Sequence, residues 1–333
     1  MAFSFFGRGA AVEPAQPAGR QDGITKLKSD VRMVVDSEYG DLLEAHRVWL
    51  EIRGKGTRAD FRRKSITGVR WRGVDLRQAN LASSSWPDCE FEGSNFAGAD
   101  LSLADFCACS FQHCDLTGAS LDRARFAQAW LTAATFSETR ASEASFASAH
   151  AERSLWFEVQ LQRCSFANAR LDKAVMNHAR CTSCDFSGAE LSQASLAFSV
   201  FTLSKFIGAR LSGVRGQNAR LSDCNFTGAD FHEAKLSRAD LSRSNLTKST
   251  FDYADLRDAK LGGVDCNRAS FAGAWLAGAV LAGADLRYCS LEGAREVSPA
   301  QLAQARTDNT TVLPSGKHGP YLKRSGDEKP ARG

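Results

Sequence analysis

Asn225-Phe-Thr-Gly-Ala-Asp-Phe-His-Glu-Ala-Lys-Leu-Ser-Arg-Ala-Asp-Leu241 repeats one unit, roughly Ala-(Asp/Asn)-(Leu/Phe)-x-x, and that unit sets the fold. Stepping outward by five residues reaches Phe61 on one side and Leu291 on the other without a slipped register. Of the 47 centres on this grid, 37 are Leu or Phe. Two residues before each centre stands Ala, Ser, Cys, Val or Thr at 46 of the 47 sites, with Lys64 the exception. A period of five is neither the 3.6 of a helix nor the 2.0 of a strand. Two inward positions in five, one large and one small, suit a narrow coil that turns a corner at every pentad.

Sorting the centres at spacing twenty places Phe106, Phe126, Phe146, Phe166, Phe186, Phe206 and Phe226 in one column. Such a column is what rings stacked at β spacing favour, and it points to four sides per coil. Volume compensation agrees. Ala141 and Ala151 face each other across one coil, and Phe146 and Trp156 occupy its other walls. Gly216 leaves a gap in the coil that carries Phe201 and Phe206, an exchange that cores tolerate when total volume is kept.

The repeat resembles that of the pentapeptide-repeat family over residues 60–295 of the 333-residue chain. The resemblance implies an all-β solenoid, a right-handed quadrilateral β-helix in which four pentads close each coil. The 47 pentads then make about 12 coils. At about 4.8 Å per coil they span roughly 55–60 Å. The end coils need caps, because they otherwise expose core and backbone edges.

Five segments follow. Residues 1–24, with Pro14 and Pro17, read as a disordered leader, and residues 25–58 as a helical N-terminal cap. In that cap Asp41-Leu-Leu-Glu44 has capping-box spacing, and Leu42, Leu43, His46, Trp49 and Leu50 form an apolar stripe that Gly54 ends. A helix is expected near 41–53, with His46 a packing residue rather than a ligand. Residues 59–295 form the β-helix. Ser298-Pro299-Ala-Gln301 starts a capping helix within 296–306, and 307–333 reads as a mobile tail. The His46-Arg-Val-Trp-Leu and Leu313-Pro-Ser-Gly segments resemble those of bacterial members of the family.

The chemistry expected of this chain is slight. The register has no inserted loop, and no nucleophile elbow, phosphate loop or zinc-protease helix occurs, so no catalytic, cofactor-binding or metal-binding residue is assigned and an enzyme is not expected. Cys89, Cys109, Cys114, Cys164, Cys184, Cys224 and Cys289 occupy the small inward slot, Cys181 and Cys266 occupy centres, and Cys107 alone points outward. Buried free thiols favour a reducing cytoplasm. No apolar run approaches a membrane span.

Function is therefore sought on the surface. The resemblance implies DNA gyrase as a partner, through mimicry of duplex charge. Residues 60–295, however, hold 27 Lys plus Arg against 26 Asp plus Glu. Arg170, Glu190, Arg210 and Asp230 stand at spacing twenty, where opposite charges become neighbours and neutralise each other. That disfavours gyrase mimicry. Nucleic acid is not expected either, since Arg140, Arg180 and Arg220 alternate with Gln160 and Val200. Leu155, Phe157, Val175 and Phe198, continued by Val200 and Leu203, are apolar at outward positions. They mark either a protein interface or extra filling for the thin coil at Ala141 and Ala151. Trp275, Val280 and Tyr288 on the last coils form a second candidate interface; the family resemblance implies a homodimer there, unless the C-terminal helix covers it. The leading expectation is a non-enzymatic protein-binding scaffold, followed by a gyrase or topoisomerase modulator and then a self-associating rod.

Overall fold

In the computed structural model, which describes residues 37–52 and 54–331, every backbone N–H of the pentad Phe226–Asp230 has a partner. Phe226 and Gly228 donate to Asn245 and Thr247 one coil ahead, both at 2.8 Å, and Asp230 donates to Ala209 one coil back at 2.9 Å. Ala229 closes the corner on the Phe226 carbonyl at 2.9 Å. The fifth N–H, of Thr227, donates to Asn225 Oδ1 at 3.0 Å. This last bond explains the Asp or Asn before the centre. A short side-chain acceptor meets the one donor that the coil-to-coil ladder leaves unpaired. Asp100, Asp115, Asp185 and Asp240 do the same for Ser102, Thr117, Ser187 and Ser242.

The corner explains the last position of the unit. The residue two after each centre lies at φ between 53° and 72° in all 47 pentads, from Arg63 to Gly293. Glycine fills only part of this set, yet no Val, Ile, Thr or Pro occurs in it. Branching at Cβ clashes in the left-handed region, and proline cannot reach it.

Parallel bridges join residues twenty apart, such as Asp60 with Asn80 and Glu190 with Arg210. The chain is a right-handed quadrilateral β-helix. Its faces are named here by their bridge residues: face 1 from Asp60, face 2 from Ser65, face 3 from Arg70 and face 4 from Asp75, each continuing every twentieth residue. On face 1 the ladder lengthens into four parallel strands, β1 Arg140–Ser142, β2 Gln160–Gln162, β3 Arg180–Thr182 and β4 Val200–Thr202.

The core is one continuous column of buried side chains. From Phe106 to Phe226 the seven rings stack at 4.7–5.3 Å between centroids. Around Ala141 and Ala151, Trp156 stacks on Phe136 at 4.1 Å and meets Phe146 edge-on at 5.1 Å. Large rings thus occupy the space that the two alanines leave. The Leu236 side chain of the following coil approaches Gly216, where an added Cβ would lie 2.9 Å from it.

Polar residues in the small slot have a backbone role. Ser244 Oγ accepts from Cys224 N–H at 3.1 Å and donates to the Leu221 carbonyl at 2.9 Å, replacing the direct turn bond. Cys164 and Cys224 thiols donate to the carbonyls of Ala141 and Phe201 at 3.4 and 3.2 Å. At these corners a hydroxyl or thiol of the next coil takes the carbonyl that the turn N–H has left.

The ends differ from expectation in two respects. Helix α1 spans Gly40–Glu51 behind a short 3-10 turn, Ser37–Tyr39, and its N-cap position is Tyr39, which does not cap the helix through its side chain. Asp41 lies inside the helix because that turn already leads into it, and Glu44 pairs with Arg47 at 2.6 Å instead of capping. His46 is fully buried; its Nδ1 accepts from Ala59 N–H at 3.0 Å, so Nε2–H donates to the Arg77 carbonyl at 3.1 Å. At the other end α2, Pro299–Gln304, carries the full Ser298–Gln301 capping box.

Residues 307–331 are not the mobile tail that their composition suggests. The last coil needs acceptors for its N–H groups, and this segment supplies them. Leu291 donates to Val312 and Gly293 to Pro314, continuing from Leu286, which donates to Arg306 just before the segment. Leu313 is buried, and β5 Thr311–Val312 pairs antiparallel with β6 His318–Gly319. The leader over 1–24 lies outside the described residues.

Candidate functional site

A corner separates face 4 from face 1, and the aromatic residues of the first patch meet there. Phe157 sits edge-on to His178 at 5.4 Å, and His178 stacks on Phe198 at 5.4 Å and 6°. Leu155 and Val175 are bridge partners on face 4 beside it. Val200 lies on face 1 between Arg180 and Arg220. Leu203 stands on the far corner of face 1 and is the most exposed of the set at 64%. Leu155 and Phe157 remain at the surface, 41% and 40% exposed, while Phe136, Phe146 and Trp156 fill the thin coil.

The second candidate patch is not one surface. Trp275 lies on face 4 beneath the Arg257 guanidinium, 4.0 Å from its ring centroid. Val280 is on face 1. Tyr288 is on the corner between faces 2 and 3, diagonally across the coil, with its N–H bonded to Thr310 of the terminal segment.

Two aromatic pairs were missed by the sequence reading. His178 belongs to the aromatic ledge, and the spacing of twenty from Phe198 is the signal that finds it. Trp130, on face 3, stacks on His150 at 4.1 Å, again at spacing twenty.

Among the described residues ten ion pairs join residues twenty apart on neighbouring coils. Arg123 and Arg163 both hold Glu143 at 3.0 Å. Glu190 is held by Arg210 at 3.0 Å and by Arg170 at 3.6 Å. Asp230 leaves that ladder and accepts from the Ser212 hydroxyl at 2.6 Å. Elsewhere Arg77, Arg257 and Arg287 fold back onto the aspartate two residues earlier. On face 1 Lys260 holds Asp240 at 3.6 Å, whereas among the described residues Arg140, Arg180 and Arg220 make no ion pair, and they border open grooves, one of about 340 Å³ lined also by Asp122, Gln160 and Gln162.

None of the ten cysteines is in a disulfide, and only Cys107 is not fully buried. Burial pushes the thiols of Cys109 and Cys224 up to about 12, so both stay protonated. Among the described residues no cluster of three His, Cys, Asp or Glu is placed to hold a metal, and no helix is long and apolar enough to cross a membrane.

The chain belongs to the pentapeptide-repeat family. The family model, described as pentapeptide repeats, matches eight copies over residues 75–112, 88–125, 157–193, 184–223, 224–263 and 265–295. Similar solved structures include HetL, a pentapeptide repeat protein involved in heterocyst differentiation regulation from Nostoc sp. strain PCC 7120. It is 22% identical, with 72% of this chain and 93% of that one covered and a TM-score of 0.35. QnrB1, a plasmid-mediated fluoroquinolone resistance protein, is 20% identical over 65% of this chain and 90% of its own, with a TM-score of 0.23. Rfr23 from Cyanothece 51142 is 23% identical over 40% and 89%, with a TM-score of 0.21. The comparison with curated proteins found no match.

Proposed function

We propose that the chain is a non-enzymatic scaffold that binds another protein through the corner between faces 4 and 1. The observation that carries this reading is the exposed ledge of Phe157, His178 and Phe198 flanked by Leu155. Contiguous exposed aromatics on a rigid support are well suited to docking, because little ordering entropy is lost on binding. Phe198 adds an argument from cost. It sits at φ 59°, where a non-glycine residue costs roughly 1–2 kcal/mol, and more than half of its surface stays exposed. The residue is thus held without a matching gain in the core. Filled interiors leave the coils no enclosed site for catalysis, and buried free thiols fit a reducing cytoplasm.

The test is capture of partners with wild type, Phe157→Asp/Phe198→Asp and Phe198→Gly. Glycine removes the ring and relieves the corner, so Phe198→Gly is expected to keep or raise Tm while losing the partner. A partner retained by both variants would sink the reading. Gyrase binding is the second reading. It rests on family resemblance, while the cross-coil pairing of Arg123, Glu143 and Arg163 opposes the dense negative charge that mimicry requires. If gyrase is captured and its binding collapses as salt rises, that reading replaces the first. A self-associating rod would instead show a mass that rises with concentration and no partner.

A further inference from the structure

We infer that face 1, beside this corner, is a seat for an acidic helix of the partner. The inference rests on the scaffold reading and names the partner's chemistry. Along one ladder Arg140 and Arg180 stand among Ser120, Gln160 and Val200, so adjacent strands offer them no carboxylate, and Asp240 beside Arg220 is taken by Lys260 at 3.6 Å and by Ser242 N–H. Elsewhere the same spacing of twenty joins Arg to Glu or Asp, as at Arg123 with Glu143 and Arg243 with Asp223. Among the described residues these three cations make no ion pair of their own and stand open to a ligand. Each is exposed, and shallow grooves lie between them where Ala141 and the opened corners lower the surface.

Geometry selects the form of the occupant. Arginines two coils apart recur at about 9.6 Å. Seven residues of α-helix rise about 10.5 Å and return to the same side, a mismatch that flexible arginines absorb. A β-strand cannot match this interval on one side, since three residues reach about 10 Å but point the third side chain the opposite way. Phe157 and Phe198 are also two coils apart. An amphipathic helix with an acid at each heptad and an apolar residue beside it would meet both rows together. Nucleic acid fits less well. Glu138 and Glu158 stand on the corner next to the arginine row, at spacing twenty, and would repel a continuous phosphate chain.

The test uses the full chain and a fluorescein-labelled helical peptide about three heptads long, with Glu at one position of each heptad and Leu beside it. Controls are the same peptide with Lys for Glu and a short DNA duplex. Wild type is expected to bind the Glu peptide, less tightly as salt rises, and to bind the Lys peptide or the duplex weakly. Arg140→Gln/Arg180→Gln/Arg220→Gln should lose about tenfold in affinity with unchanged Tm, since all three side chains are exposed. Equal binding by that variant, or a duplex that binds more tightly than the Glu peptide, would overturn the inference. Loss of the captured partner in Phe157→Asp/Phe198→Asp together with unchanged peptide binding in the arginine variant would leave the scaffold standing and remove only the acidic helix. Binding lost in the arginine variant but intact in the Phe variant would do the reverse.

Discussion

Single residues in this molecule are governed by whether each buried polar atom finds a partner. Trp156 Nε1–H donates to Ser154 Oγ at 2.6 Å, and that hydroxyl donates to the Ala151 carbonyl at 2.6 Å. Trp86 and Ser84 repeat the arrangement. Trp71 has Val69 in the corresponding slot, and among the described residues its Nε1–H meets no acceptor. Ser154→Ala should therefore lower stability by about 1–3 kcal/mol, while Val69→Ser should raise it by up to about 1 kcal/mol. Chemical denaturation of the two variants checks both signs. His46 gives a pH dependence. Burial lowers its pKa below the usual 6.5, so the unfolded chain binds a proton more readily than the folded one. Stability is full above pH 6.5 and falls as pH drops from there toward the lower folded pKa. His46→Leu should flatten Tm against pH in that window, and an unchanged slope would exclude His46 as its source. The burial of His46 was legible from its place on the apolar stripe. Its two backbone bonds were not, because Ala59 and Arg77 lie 13 and 31 residues further along the chain and carry no local signal.

Among the elements, the coils were legible and the caps only partly so. Periodicity exposes a side-chain position that recurs 47 times, whereas a cap occurs once and depends on which backbone groups the last coil leaves unpaired. The Ser298–Gln301 capping box was visible because the helix makes it within four consecutive residues. The segment after it looked mobile because its polar, Gly- and Pro-containing composition carries no period, yet its carbonyls extend the ladder beyond Leu291. Deleting residues 305–333 should expose Leu302 and the last ladder edge. The expected result is a lower Tm and a mass that grows with concentration in light scattering, since bare β edges and core faces associate. A monomer with unchanged Tm would show that α2 caps the coils alone. The aromatic ledge was half legible. Its phenylalanines stand out as apolar residues at outward positions, but the role of His178 and the unpaired state of the face 1 arginines emerge only when coils twenty residues apart are laid side by side.

At the scale of the whole molecule, each coil touches only its neighbours, so cooperativity must travel along the stack. The continuous Phe column from Phe106 to Phe226 is the strongest coupling, since each ring packs on the next at about 5 Å. Removing one ring costs the lost burial plus a cavity, about 3–5 kcal/mol. The consequence depends on position. Phe166 stacks on Phe146 on one side and Phe186 on the other, so Phe166→Ala weakens two coil interfaces in the middle of the column. Phe271 closes a shorter stack on Phe251 near the C-terminal end. Phe166→Ala should therefore broaden thermal unfolding or divide it into two transitions, with amide exchange accelerated most in coils near the substitution. Phe271→Ala should accelerate exchange in the last coils and leave those before Phe226 protected. Equal loss of protection along the entire stack in both variants would mean that the coils unfold as one unit, and nearest-neighbour coupling would then fail as a description of this β-helix.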